Sequence, residues 1–120
     1  MFIEENERIK PMRITIADTT YELDFSRDSV AFAEDRQFST DDVVRYPVTK
    51  VPEFFFYAFR KNHRKLARSQ TDAILDKIGG LTPDMLKRLL LLYNQAAMSN
   101  NIMQDEEDLA KNSGVTVEMD

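Results

Sequence analysis

The sequence predicts an α+β fold, mostly α: an N-terminal two-stranded β-hairpin packed on about five helices. Three observations predict it. Two short segments alternate apolar and polar residues around a turn. Several later segments carry helix caps followed by apolar residues at helical spacing. The apolar content, 42% of 120 residues, is enough for one domain core but leaves little to spare.

The hairpin comes first. Met12, Ile14 and Ile16 fall on one face, Tyr21, Leu23 and Phe25 on its partner, with Asp18-Thr19-Thr20 as the expected turn. Two strands alone are marginal in water, so that face must pack on helices. Ser26 reads as the cap of a first helix, with Asp28 in its first turn and Val30, Phe32 and Ala33 as its apolar side, ending near Gln37. Ser39 or Thr40 caps a short second helix that uses Val43, Val44 and Tyr46 and stops at Pro47. Pro52 suits the first turn of a third helix, running to about Lys65. Ser69 caps a fourth, with Ala73, Ile74 and Ile78 at helical spacing and Gly79-Gly80 as its end. Thr82-Pro83-Asp84 starts a fifth, expected to run to about Asn100. The predicted organisation is therefore a flexible leader over 1–11, a single hairpin-plus-helical domain over 12–103, and a disordered acidic tail over 104–120.

Charge is uneven. Residues 104–120 hold six acids (Asp105, Glu106, Glu107, Asp108, Glu118, Asp120) against Lys111, whereas residues 1–103 hold fifteen of each sign. A neutral body gives no general attraction to nucleic acid or anionic lipid. The sequence has no cysteine, which excludes disulfides and thiolate metal sites. Acids occupy Glu4, Glu5 and Glu7, where a signal peptide needs basic and then apolar residues, and no apolar run approaches the ~18 residues of a membrane span. A cytosolic chain without membrane association is expected.

No catalytic, metal or cofactor site is predicted. His63 is the only histidine, and Arg60, Lys61, Arg64 and Lys65 beside it would depress its basicity; it reads as a partly exposed residue near a helix end. With three glycines in all, two of them in one helix cap, the chain has no phosphate-cradling loop. Arg60 to Arg68 carry five cations in nine residues. They read as cations facing a helix C-terminus, as a contact for an acidic protein segment such as the chain's own tail, or as a nucleic-acid surface. The last is the weakest reading, because no aromatics interleave with the cations.

Phe54, Phe55, Phe56, Tyr57 and Phe59 point around nearly a whole helix, and Leu89 to Tyr93 repeat the pattern. Either the two helices form the central core pair, or part of this surface meets another chain or a second copy. In the latter case Phe55, Ala58, Phe59, Leu86, Leu89 and Tyr93 are core. Phe54, Phe56 and Leu91 are then the surplus, and with Arg60, Lys61 and Arg64 they form the expected protein-binding residues.

Two segments carry a family resemblance. Asp24-Phe25-Ser26-Arg27-Asp28-Ser29-Val30 after a hairpin is one. Pro47-x-Thr49-x-x-Pro52, followed by Phe55-x-x-Ala58-Phe59 and His63, is the other. Together with the acidic C-terminus they resemble the tail assembly chaperones of siphophages infecting Gram-positive bacteria, over roughly residues 12–95. The resemblance implies a non-enzymatic protein of the host cytoplasm that is absent from the mature virion. It implies the tape-measure protein and the major tail-tube protein as partners, and a homo-oligomer is compatible with it. Alternative readings are a small nucleic-acid-binding phage regulator using residues 60–68, and a structural tail or connector component.

Overall fold

The computed structural model describes residues 8–98. It is α+β and mostly α, with two strands followed by five helices. Strand β1 (Met12–Ile16) pairs antiparallel with β2 (Thr19–Leu23), in register from Met12↔Leu23 to Ile16↔Thr19. The turn is therefore Ala17-Asp18, one residue earlier than expected. Thr19 and Thr20, β-branched and suited to a pleated strand, extend β2 instead. Thr20 Oγ1 meets Thr15 Oγ1 at 2.9 Å. The shift puts Ala17 at φ +53°, a left-handed conformation that favours glycine. Met12, Ile14 and Leu23 are buried and Arg13 and Thr15 exposed, as the alternation predicts.

Helix α1 (Arg27–Asp35) opens on a reciprocal cap: Ser26 Oγ accepts the Ser29 N–H and Ser29 Oγ accepts the Ser26 N–H. It closes with Phe38 N–H on the Ala33 carbonyl and Gln37 N–H on that of Glu34, Gln37 lying at φ +59°. That closure turns Phe38 inward, where it is buried. Ser39 then caps α2 (Thr40–Arg45).

Helix α3 (Pro47–Phe59) differs from expectation at both ends. Pro47 starts it rather than merely ending α2, because its fixed φ is helical and its missing N–H is not needed at the first position. Pro52 lies inside the helix. Its missing donor would have served the carbonyl of Val48, and Val48 is 87% exposed, so solvent can take that place. The C-terminus comes at Phe59, not Lys65, since residues 61–63 turn away to bond the outer edge of β2. His63 Nε2 accepts the Glu22 N–H at 3.0 Å, and Asn62 Nδ2 donates to the Glu22 carbonyl at 3.3 Å. Arg60 to Lys65 therefore form a connection beyond the helix instead of its last turn.

Helix α4 (Arg68–Ile78) begins at Ala67, whose N–H is taken by Gln70 Oε1 at 2.7 Å, so Ser69 is not its cap. Thr71 and Leu75 are its buried contacts, while Ala73 is exposed. Gly79, at φ +81°, ends it as the sequence predicts. In α5 (Pro83–Met98) the Met85 N–H is capped by Thr82 Oγ1.

Helix α3 is the hub, touching α1, α2, α4 and β2, while α5 closes on α1 and β1. The core between them is aromatic. Phe54 stacks on both Phe25 and Phe38, with ring centroids at 5.3 and 5.5 Å, and Tyr93 meets all three edge-on. The end of the predicted leader is docked on this domain: the Ile9 N–H donates to Gln95 Oε1 at 2.9 Å. The remainder of the leader, the predicted disorder of 104–120, the boundary at 103 and an α5 end at Asn100 all lie outside the described residues.

Candidate protein-binding surfaces

The six residues expected to bind protein have separate fates. Phe54 is the clear correction. It has no accessible surface: its ring stacks on Phe25 and on Phe38 and meets Tyr93 edge-on, and it belongs to the core. Phe56 is half-buried beside Phe32. Leu91 is 41% exposed.

The cations of the basic segment are largely engaged within the fold. Lys61 Nζ lies 2.6 Å from Asp24 Oδ2, and Asp24 also accepts the Phe25 N–H through its other oxygen. Arg64 pairs with Asp28 at 2.9 Å and Arg68 with Asp72 at 2.9 Å. The Arg60 guanidinium lies 3.7 Å from the centroid of Phe32, and Arg36 lies 3.5 Å from the same centroid. Two guanidiniums that close must occupy opposite faces of the ring, so Phe32 is sandwiched between them. His63 sits half-buried between Tyr21 and Phe59, and accepting the Glu22 N–H gives it a structural task.

Two tyrosines have shifted titration. Burial, then the hydrogen bond donated to Glu53, raises Tyr57 far above the usual phenol range, and burial raises Tyr93. Neither shift brings a proton donor nearer neutrality. Among the described residues no cluster of three His, Asp or Glu could hold a metal, and no helix is long and apolar enough to cross a membrane.

Apolar surface appears where the sequence did not point. Val44, Tyr46 and Val48 are 73%, 55% and 87% exposed, at the corner where α2 hands over to α3. The sequence predicts Val44 and Tyr46 as contacts of α2, but of its side chains only Val43 is buried. The six residues of α2 turn one face inward, and Pro47 restarts the chain in a new direction before Val44 or Val48 can be covered. Three large apolar side chains within five residues form a surface that solvent disfavours.

The second surface lies around Leu91. Arg8, Ile9 and Lys10 face Lys87, Arg88 and Leu91 across a cleft of about 540 Å³, with Asp84 on its wall. Sequence reasoning missed it because its halves lie far apart in the chain. The alternation Arg8-Ile9-Lys10 and the doublet Lys87-Arg88 were its only signals.

The chain belongs to the family described as Domain of unknown function (DUF5055), whose model matches residues 8–119. No curated protein and no solved structure matches it.

Proposed function

We propose that this DUF5055 chain is a phage tail assembly chaperone, a non-enzymatic protein that holds the tape-measure protein soluble in the host cytoplasm and helps recruit tail-tube subunits. The reading starts from the two segments that resemble such chaperones: Asp24 to Val30, and Pro47-x-Thr49-x-x-Pro52 followed by Phe55-x-x-Ala58-Phe59 and His63. The observation that carries it is the corner of Val44, Tyr46 and Val48. An amphipathic helical client needs a small, exposed apolar surface on which to lay its apolar face. Pro47, the first residue of the second segment, starts α3 at this corner, and Val48 directly after it stands in solvent.

The test is co-expression with a fragment of the tape-measure protein. The fragment should stay in the supernatant with the wild-type chain and pellet with the Val44→Glu/Val48→Glu variant. Far-UV circular dichroism of that variant should be unchanged, since both side chains are already in water. If the fragment pellets equally with and without the wild-type chain, the reading fails.

A further inference from the structure

The cleft beside Leu91 is a place of unbalanced charge. Residues 8–98 carry fifteen Lys and Arg against twelve Asp and Glu, a net of +3, although the whole chain is at −5. The negative excess therefore lies in the segments on either side of the described body. Arg8, Lys10, Lys87 and Arg88 converge on one cleft, and none of them makes an ion pair among the described residues. Asp84 offsets one charge of the four. Ile9 and Leu91 give the cleft an apolar lining. The segment carrying Arg8 and Lys10 is fixed against α5 by Gln95, which accepts the Ile9 N–H and donates to the Ile9 carbonyl at 3.5 Å. Four like charges held together favour an anionic occupant, and the lining favours an apolar side chain next to it.

We propose that this cleft binds the acidic segment Asp105-Glu106-Glu107-Asp108-Leu109 of the same chain. Its four carboxylates are opposite in sign to a cleft that keeps a net charge of three positive after Asp84, and Leu109 supplies the apolar side chain for Ile9 and Leu91. The reach is sufficient. Arg88 lies ten residues before Met98, about 15 Å back along the helix axis. Residues 99–104 span up to about 20 Å when extended. A tether this short holds the segment at an effective concentration on the order of millimolar. Glu4, Glu5 and Glu7 are poorer candidates, because they run directly into Arg8 and would have to reverse within a residue or two to cover the cleft that Arg8 itself lines. The contact shares no residue with the Val44–Val48 corner and needs no client, so it stands or falls independently of the chaperone reading.

The chain lacks cysteine, so Ala110→Cys accepts a single nitroxide label on the full-length protein. Its paramagnetic broadening is read on backbone amide signals, after dilution into excess unlabelled chain so that only contacts within one molecule count. The amides of Ile9, Lys10, Arg88 and Leu91 should lose roughly half or more of their intensity, more than those of Ala96 to Met98, as expected for a tethered contact. The Lys87→Glu/Arg88→Glu variant, or NaCl at about 0.5 M, should restore them. Broadening that simply decays backward from Met98 overturns the proposal. Broadening only between separately labelled copies also overturns it and assigns the cleft to a second copy's tail. Perturbation of the same amides by a short DNA duplex, with the label never near them, overturns it in favour of a phosphate backbone.

Discussion

The basic segment Arg60 to Arg68 and the cleft of Arg8, Lys10, Lys87 and Arg88 are both rich in cations, and they differ in what those cations touch. In the segment, Lys61, Arg64 and Arg68 each reach a carboxylate, and Arg60 lies on the face of Phe32. Lys65 alone has neither kind of contact among the described residues. In the cleft, all four cations lack an ion pair among the described residues. The run that stands out in the sequence is therefore the one the fold uses internally, to tie the α3–α4 connection to β2 and α1. The cations left for an outside anion are scattered in sequence and gathered only by folding. Density of charge along a chain does not measure its availability, because the partners of Lys61 and Arg64 lie 37 and 36 residues away.

The sharpest way to break this contrast is to remove one cation from each region. Lys61→Met leaves the Asp24 carboxylate, whose side chain is 10% exposed, without its counter-ion. Breaking a fully buried pair costs about 3–5 kcal/mol; with the Lys61 side chain 40% exposed, a loss of about 2 kcal/mol is expected in urea denaturation. Lys87→Met should change stability by less than about 0.5 kcal/mol, because Lys87 is exposed and any charge contact it makes is screened by solvent. Equal losses from the two variants would mean that the cleft cations are structural as well.

A smaller effect is expected at Arg60. Its Nε is buried and has no hydrogen-bond partner among the described residues, so its contribution comes from the guanidinium plane and the stem packed on Phe32. Arg60→Ala should cost about 1 kcal/mol. Arg60→Lys should not recover it, because an ammonium cannot stack as a plane. Full recovery by lysine would show that charge alone matters there, and would place Arg60 with the cleft cations rather than apart from them.

The same division between local and distant causes explains what the sequence disclosed. The caps at Ser26 and Thr82, the glycine end of α4 and the alternation of β1 depend on neighbours a few residues away, and each could be read directly. The end of α3 could not, because His63 and Asn62 are drawn off by Glu22, some forty positions earlier. Phe54 looked like surplus on a helix apolar all round. It is core because Phe25 and Phe38, from two other parts of the chain, stack against it. Val44 and Tyr46 looked like contacts, yet α2 is too short to bury more than Val43. Of the expected binding residues, Leu91 lies on a cleft, and the other half of that cleft is Arg8 to Lys10, the end of the leader that the sequence predicts.

The smallest expected effect tests the edge of the contrast. Arg64 and Asp28 are paired, but their side chains are 62% and 71% exposed. Pairs in that setting are screened by water and salt and contribute about 0–1 kcal/mol, so Arg64→Gln should shift the denaturation midpoint very little, corresponding to less than about 0.5 kcal/mol. The reversed pair Asp28→Arg/Arg64→Asp should behave like the wild type, apart from placing a cation in the first turn of α1, where the helix dipole favours the acid. A loss above about 1 kcal/mol from Arg64→Gln would mean that the whole segment is locked down, its exposed end included. A loss near zero makes Arg64, with Lys65, the part of the basic segment that the fold does not need, and the boundary between engaged and free cations then runs within the segment rather than around it.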